Sequence, residues 1–209
     1  MTLIARLKRC LPENIHFAVR DPRESFALIG SEHEAIARAI PKRKTEFSAG
    51  RDAARDALAQ LGLYGVEIPV GERRAPHWPD GICGSITHSK MLCIAAVARK
   101  SVLASIGIDA EPDVPLKEDL RNAILHDSEL HVSAEQAIAL FSMKEALFKA
   151  LFPLTGKLMG FHAAKSDGAT GLILTGKVGS FPAGTRFDVP VLRGAGHVIS
   201  HCVVKGLPS

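Results

Sequence analysis

The stretch Phe141–Ala150, FSMKEALFKA, decides the fold of the second half of this 209-residue chain. At about 100° per residue, its aromatic side chains fall on one face of a helix predicted over residues 134–151. Lys144 falls within that apolar face, and Glu145 and Lys149 lie one turn apart at its edge. Two interpretations stay open at this point. One is a core helix whose lysine reaches towards water, and the other is a helix that turns polar groups into a site.

Composition indicates a globular, cytosolic protein. Hydrophobic residues make up 46% of the chain, and no stretch approaches the roughly 18 consecutive apolar residues of a membrane helix. The N-terminus has no sustained apolar run and no small-residue cleavage site, so we expect no signal peptide. The four cysteines lack C-x-x-C spacing, which favours reduced thiols over a zinc site. The net charge of +4 suggests an anionic partner only weakly.

Helix and strand signals occur in the same order in both halves. After an irregular start, a short helix is opened by Ser31 with Glu34 as its capping box, and it ends at Pro41. A longer helix follows over about residues 44–61, and Pro153 closes the helix that contains Lys144. Strands are predicted over residues 82–87, 92–98 and 102–110, and the end of the chain is again strand-rich. The order predicts an α+β protein of two similar lobes, residues 1–105 and 106–209.

Asp109 and Glu111, in the segment GIDAEP, are the first candidates for chemistry. They lie two apart on a strand, so both carboxylates point to one face with their Cα atoms roughly 7 Å apart. Two like charges beside an apolar strand repel each other unless a cation lies between them, and oxygen ligands suit a hard ion such as Mg²⁺. Glu145 could supply a third oxygen. The alternative is a strand end where both acids are simply solvated.

A basic stripe on the longer helix is the second candidate. Lys44, Arg51 and Arg55 recur within about 40° of one another around the helix, and Arg73 and Arg74 add charge in the following loop. Next to a cleft, such side chains are suited to holding phosphate oxygens. The alternative is a solvated, charged helix edge.

His88 lies where a predicted strand gives way to a turn, in the segment GSITHSK. Its ring could donate to a phosphate, as could the neighbouring hydroxyls of Ser85, Thr87 and Ser89. A lone histidine is more often structural, and the chain has no nucleophile elbow, Walker A loop or dinucleotide fingerprint. Together with the acids and the basic stripe, however, these groups favour a pyrophosphate-bearing ligand that reacts at phosphorus.

Four segments, taken in chain order, resemble the 4′-phosphopantetheinyl transferases of the class that includes enterobactin synthase component D and the surfactin-type enzymes. They are KRKTEFSAGRDAARDALAQLG, APHWPDGICGSITHS, GIDAEP and FSMKEALFKALFPLTGKLMGF, within residues 41–162. The chain departs from the family pattern at Ser89–Met91, which lacks the usual glycine and aromatic residue. The segment between Glu111 and Glu145 is also shorter than is usual in the family.

The resemblance implies two lobes related by pseudo-twofold symmetry, each with a small antiparallel sheet packed against a long helix. Coenzyme A and Mg²⁺, with Mn²⁺ as the alternative, would bind in the cleft between them. The implied metal ligands are Asp109, Glu111 and Glu145. The residues expected to hold the pyrophosphate and the other phosphates are Lys144, Lys149, Arg43, Arg51, Arg73 and His88. Lys44 on the basic stripe and Thr87 next to His88 are expected to contact the same phosphates.

The implied reaction moves the phosphopantetheine arm of coenzyme A to a serine of an apo carrier protein of siderophore, peptide or polyketide synthesis, with release of 3′,5′-ADP. Glu145 is the expected proton acceptor, and Lys149 is expected to stabilise charge in the transition state. A monomer is expected, because a two-lobed chain contains both sides of its site.

Two alternatives remain at the level of sequence. One keeps the fold but assigns the carrier protein of fatty-acid synthesis as the substrate. The other is a basic module that binds nucleic acid without catalysis. Two features count against that module: the chain has a single Trp and a single Tyr, and GIDAEP carries acidic residues. Protein surfaces that bind nucleic acid are usually basic and often carry aromatic residues.

Overall fold

The computed structural model describes residues 2–207, and the chain divides after Val102 into two compact units, here called unit 1 and unit 2. In the described residues the α-helices are α1 (Leu3–Cys10), α2 (Glu32–Ala35), α3 (Pro41–Ala59), α4 (Glu118–Ile124) and α5 (Ala134–Thr155). The strands are β1 (His16–Arg20), β2 (Ile82–His88), β3 (Cys93–Arg99), β4 (Ser105–Pro112), β5 (Ala164–Ser166), β6 (Gly171–Leu174), β7 (Arg186–Asp188), β8 (Val191–Gly194) and β9 (His197–Val204). A mixed fold of long helices and small antiparallel sheets is therefore confirmed. Across residues 2–207, helices that combine the length and the apolar character of a membrane span do not occur.

Unit 1 contains a three-stranded antiparallel sheet in the order β1-β3-β2, with α3 packed against it. The helix turns a row of small side chains to the sheet, and Ala53, Ala54 and Ala57 are fully buried. A Cβ atom added at Gly50 would lie 3.1 Å from the Ile86 side chain. Small residues thus let α3 lie close to the sheet, which places its polar residues near the end of β2.

Unit 2 contains two three-stranded antiparallel sheets, ordered β4-β9-β8 and β5-β6-β7. The long helix α5 packs on β4 and β9. At Gly107 of β4, an added Cβ atom would lie 1.9 Å from the Ala146 carbonyl oxygen and 2.5 Å from the Ala150 nitrogen. This contact between two backbones needs glycine, because a side chain has nowhere to go. It brings the residues that follow Gly107 against α5.

An irregular start to the chain was predicted, but the first 20 residues contain a helix and a strand. Helix α1 begins after Thr2, whose hydroxyl accepts a hydrogen bond of 3.3 Å from the Ala5 nitrogen. Strand β1 pairs with β3 along its full length, from His16 opposite Val97 to Arg20 opposite Cys93. Both elements are short, so neither spans enough residues for a clear hydrophobic period.

Two prolines that were predicted to end helices lie inside the long helices instead. Pro41 stands in the first turn of α3, where a missing N–H breaks no helical hydrogen bond. Pro153 lies near the end of α5, which stops at Gly156 with a left-handed φ of 61°. The predicted boundaries were therefore wrong by a few residues at each proline.

The predicted capping box at Ser31 and Glu34 is wrong. Ser31 has a helical backbone and makes no side-chain cap, and its nitrogen donates instead to Glu67 Oε1 at 2.6 Å. Helix α2 is a single turn. Its Glu32 is fully buried and accepts hydrogen bonds from the Ile29 and Ile68 nitrogens. Hydrogen bonds to the buried carboxylate of Glu32 hold this segment, and an extended amphipathic helix does not form here.

All four cysteines are free thiols. Cys83, Cys93 and Cys202 are buried, whereas Cys10 is exposed. Burial raises the pKa of Cys83, and it raises the pKa of Cys93 and of Cys202 to about 12. The three buried thiols therefore stay protonated at neutral pH.

Candidate active site

The acidic cluster of unit 2 consists of Asp109 and Glu111 on β4 and Glu145 on α5. Asp109 is buried, and Glu111 and Glu145 are partly buried. Lys149, one turn after Glu145, donates from Nζ to Asp109 Oδ1 at 2.7 Å. The predicted placement of both acids on one strand is confirmed, and the close packing at Gly107 is what brings α5 against them.

Burial, and then repulsion between like charges, raise the pKa values of the two glutamates in the cluster. Burial raises the pKa of Glu111 to about 7, with further increases from Asp109 and Glu145 and an opposing effect from Lys149. Burial also raises the pKa of Glu145, where Lys149 again opposes the shift and Asp109 adds to it. Three carboxylates thus share one ammonium group, and a second cation would relieve the remaining repulsion.

The donor set of the cluster fits a hard divalent cation, because carboxylate oxygens are the ligands that Mg²⁺ prefers. In the arrangement observed, no three His, Cys, Asp or Glu side chains of residues 2–207 are close enough to hold a metal ion together. Lys149 instead supplies the positive charge next to Asp109. The assignment of Asp109, Glu111 and Glu145 as metal ligands stays a prediction.

Lys144 is placed differently from the expectation. Its side chain is 1% exposed, and its ammonium donates to Glu129 Oε2 at 2.5 Å and to the Ile124 carbonyl at 2.9 Å. Desolvation lowers the pKa of Lys144, and Glu129 opposes that shift. The ammonium is therefore enclosed and bonded within unit 2, and the assignment of Lys144 to the pyrophosphate stays a prediction. Of the two initial interpretations, this placement supports the core helix, although the lysine is bonded inside the protein rather than reaching towards water.

Arg51 of unit 1 is a buried cation of another kind. It is 5% exposed, and its guanidinium carbon lies 4.3 Å from the centroid of the Phe47 ring. Its Nε is buried and has no hydrogen-bond partner among the described residues. Burial lowers the pKa of Arg51 to about 10, and the nearby Arg43 and Arg55 lower it further, against Glu32. A buried arginine with donors to spare is a ready binding group for an anion.

Arg43 and His88 lie together, as their shared expected role requires. Arg43 Nη1 is 3.1 Å from His88 Nε2. Arginine can only donate, so His88 Nε2 is the accepting atom of this hydrogen bond. Thr87, the residue before His88 on β2, is buried. Glu46 Oε2 lies 4.0 Å from Arg43 Nη1, and this carboxylate balances part of the charge of Arg43.

The rest of the basic stripe does not act as one surface. Arg55 is bound to the buried Glu32 through Nη1 at 2.8 and 3.0 Å, so its role is structural. Lys44 lines a surface pocket of unit 1 together with Phe26 and His33. Arg73 is exposed on the loop before β2 and has a left-handed φ of 50°.

Sequence reasoning missed two buried carboxylates, Glu32 and Glu129. Each binds a basic residue and backbone nitrogens of a neighbouring segment. Glu32 opens the single turn of α2 and Glu129 lies in a 3-10 turn, and segments this short carry no clear periodic signal. Gly107 was also missed, although a glycine in the interior of an apolar strand is itself a sign of close backbone approach.

Comparisons with known proteins extend over both units. The family model of the 4′-phosphopantetheinyl transferase N-terminal domain matches residues 31–98, and that of the 4′-phosphopantetheinyl transferase superfamily matches residues 105–183. The chain is 39% identical over 183 residues to 4′-phosphopantetheinyl transferase Svp of Streptomyces mobaraensis, covering 83% of this chain and 72% of that protein. It is 37% identical over 170 residues to PptT of Mycobacterium tuberculosis, covering 78% and 74%. It is 35% identical over 148 residues to enterobactin synthase component D of Escherichia coli, covering 65% and 69%.

These matches identify a group-transfer enzyme. An acidic cluster with one lysine lies in unit 2, and a buried, partly unbonded arginine lies in unit 1. With the matches over both units, the chain belongs to the 4′-phosphopantetheinyl transferase superfamily. It is a transferase that uses coenzyme A to attach phosphopantetheine to carrier proteins.

Proposed function

We propose that this transferase works with Mg²⁺, releases 3′,5′-ADP, and acts on carrier proteins of siderophore or related peptide and polyketide synthesis. The observation that carries the proposal is that Asp109 forms an ion pair with Lys149 and acts electrostatically on both Glu111 and Glu145, on two elements packed against each other. The relatives named enterobactin synthase component D support a siderophore carrier. The proposal also assigns coenzyme A binding to an N-terminal lobe, residues 1–105, and metal binding and catalysis to a C-terminal lobe, residues 106–209. It includes pseudo-twofold symmetry between the lobes and action as a monomer.

In the proposed reaction, the serine oxygen of the carrier forms a bond to the β-phosphorus of coenzyme A. The bond from that phosphorus to the bridging oxygen breaks, and 3′,5′-ADP leaves with the electron pair. Glu145 accepts the serine proton, for which its raised pKa is an advantage. Lys149 stabilises negative charge on the reacting phosphate. When bound to Asp109, Glu111 and Glu145, Mg²⁺ would supply Lewis-acid polarisation of the pyrophosphate oxygens.

Unit 1 would hold the phosphates of coenzyme A. Arg51 offers guanidinium donors that its own chain leaves unused at Nε. Arg43 and His88 lie together and would contribute a second basic group, with Arg73, Lys44 and Thr87 as further contacts. Binding of a phosphate beside Arg51 would also restore the charge balance of a buried cation.

The test is intact-mass spectrometry of an apo carrier protein incubated with coenzyme A, Mg²⁺ and this protein. A mass gain of one phosphopantetheine arm on a peptide-synthesis carrier, abolished by EDTA, is the expected result. Carriers of polyketide and fatty-acid synthesis are tested in parallel, and a strong preference for the fatty-acid carrier would contradict the assigned pathway. Transfer that persists unchanged in EDTA would refute the metal dependence.

A further inference from the structure

The buried ion pair between Lys144 and Glu129 joins two parts of unit 2. Lys144 lies on α5, and Glu129 lies in a 3-10 turn, residues 127–129, of the connector between α4 and α5. The two side chains are 1% and 4% exposed, and their closest nitrogen–oxygen distance is 2.5 Å. Lys144 also donates to the Ile124 carbonyl at the end of α4, at 2.9 Å. The lysine therefore ties α5 to the end of α4 and to the middle of this connector.

Glu129 extends the connection to a third element. Its Oε1 accepts a hydrogen bond of 2.6 Å from the Ser166 nitrogen of β5, and its Oε2 accepts one of 2.8 Å from the His126 nitrogen. Arg121 steadies the same connector by donating from Nη2 to the Leu130 and Val132 carbonyls. A network bonded at this many points holds one geometry, because any shift leaves a buried charge or amide without its partner.

Two different contacts thus fix the position of α5. On one side, Gly107 lets β4 meet the backbone of α5 at Ala146. On the other side, Lys144 holds α5 to the connector. Successive helical residues are about 100° apart, so Lys144 and its neighbour Glu145 point in different directions. Rotation of α5 would break the ion pair and would move Glu145 relative to Asp109.

We propose that the Lys144–Glu129 pair is a positioning device that sets the rotation of α5 and thereby places Glu145 and Lys149 against Asp109 and Glu111. The inference rests on the proposed function, in which these acids bind Mg²⁺. Neither Lys144 nor Glu129 touches substrate in this account. Loss of the pair should loosen the metal site, while binding of coenzyme A through unit 1 stays intact.

The primary test compares Lys144→Met with Met143→Ala, a substitution of the neighbouring buried residue on α5 that creates a cavity without removing a charge. In both variants and in the wild type, the half-saturating Mg²⁺ concentration is measured in the carrier mass assay. The Mg²⁺-dependent rise in the thermal unfolding midpoint, with coenzyme A present, gives a readout that does not depend on activity. Calorimetry gives the affinity for coenzyme A without metal.

For Lys144→Met we expect a rise of about tenfold or more in the half-saturating Mg²⁺ concentration, as for residues that orient metal ligands. The Mg²⁺-dependent thermal shift should shrink in parallel, and the coenzyme A affinity should change less than about twofold. Met143→Ala should lower the unfolding midpoint but leave the Mg²⁺ dependence within about twofold of the wild type. The double variant Lys144→Met with Glu129→Gln removes the unpaired charge and should regain part of the Mg²⁺ affinity.

Several outcomes would overturn the inference. An unchanged Mg²⁺ dependence in Lys144→Met, or an equal change in Met143→Ala, would leave the pair with a purely structural role. Weak coenzyme A binding with normal Mg²⁺ dependence would make Lys144 a substrate contact. If Lys144→Met does not fold, Lys144→Arg keeps the charge but alters its geometry, and an unchanged Mg²⁺ dependence in that variant also counts against the inference. Failure of the wild type to modify any carrier would refute the proposed function itself.

Discussion

Arg51 and Lys144 are both buried cations on long helices, and the chain treats them in opposite ways. Lys144, in unit 2, is bonded to a buried carboxylate and a carbonyl. Arg51, in unit 1, is packed on an aromatic ring and keeps a buried Nε without a partner among the described residues. A buried charge is costly unless it is paired. The difference teaches that burial alone does not mark a functional cation, and the unmet hydrogen-bonding capacity of Arg51 is what makes it the candidate for binding an anion.

The largest expected difference between the two cations is in their contribution to the free energy of unfolding without ligands, which is tested by removing Lys144. Lys144→Met leaves the carboxylate of Glu129 buried and uncompensated, so we expect the free energy of unfolding to fall by about 3–5 kcal/mol. The measurement is guanidinium unfolding followed by circular dichroism. Ser142→Ala is the matched control, since it removes a buried hydroxyl without a partner in the described chain and should cost little. A loss under about 1 kcal/mol in Lys144→Met would mean that the pair is not a buried bond of this strength.

A second comparison sets Gly107 against Gly50, the glycines at which the helix and the sheet of each unit approach closely. The Cβ atom of Gly107→Ala would meet backbone atoms of α5 that cannot move aside, so we expect a loss of about 3 kcal/mol or more. In Gly50→Ala the nearest atom is the Ile86 Cγ2 methyl carbon, a side-chain atom at 3.1 Å, and alanine favours a helix by about 1 kcal/mol. Its effect should therefore lie near zero. Equal losses for the two variants, measured by thermal unfolding, would contradict the packing described.

For Arg51, the expected effect is on binding rather than on stability. Arg51→Met should weaken coenzyme A binding by about tenfold or more, because hydrogen bonds to charged groups contribute about 1.5–3 kcal/mol. The free energy of unfolding without ligand should stay the same or rise, since a buried cation that lacks a carboxylate partner is removed. Titration calorimetry and urea unfolding check the two parts. Normal coenzyme A affinity, or a large loss of stability, would make Arg51 a second structural cation.

Glu111 extends the comparison to a partly buried anion, whose pKa is raised first by burial and then by its like-charged neighbours. Its pKa is raised to about 7 in the folded state, from about 4.5 in the unfolded chain, so the folded state binds more protons between these values. The contribution of Glu111 to stability is therefore fully present at low pH and is lost as pH rises through about 7. Allowing for its partial exposure, we expect a change on the order of 1–2 kcal/mol.

The measurement for Glu111 is the free energy of unfolding from pH 4 to pH 8 in the wild type and in Glu111→Gln. The difference between the two proteins isolates the carboxylate. This matters because burial lowers the pKa of His201 to about 4, which makes stability rise with pH over part of the same window. A difference that does not vary with pH would show that Glu111 titrates normally. Added Mg²⁺ should flatten the wild-type curve if the cation binds this cluster.

Local patterns explain what the sequence could predict. The 3.6-residue period of α5 and the apolar runs of β2 to β4 are properties of contiguous residues, and they placed Asp109 and Glu111 on one strand correctly. The short α1 and β1 have too few residues for a period. The ends of α3 and α5 were misplaced because proline is tolerated in the first turn and near the last.

Partners that are distant in sequence explain the rest. Lys144 was assigned to the pyrophosphate because the family resemblance matches it to a phosphate-binding lysine, and the sequence did not reveal its partner Glu129, which lies 15 residues away in a connector without periodicity. In the same way, Arg55 was grouped with Arg51 because they share a helix face, and the carboxylate of Glu32 that binds it comes from another segment. Patterns along one element show where a charge lies, but the element packed against it decides whether that charge is available.

The distribution of the cysteines has a practical consequence for labelling this enzyme with a fluorophore. Because Cys83, Cys93 and Cys202 are buried, Cys10 at the end of α1 is the thiol open to reagents. A maleimide fluorophore should therefore attach at a single position without any cysteine being replaced. One dye per molecule on the natural sequence would allow capture of a carrier protein to be followed by fluorescence anisotropy.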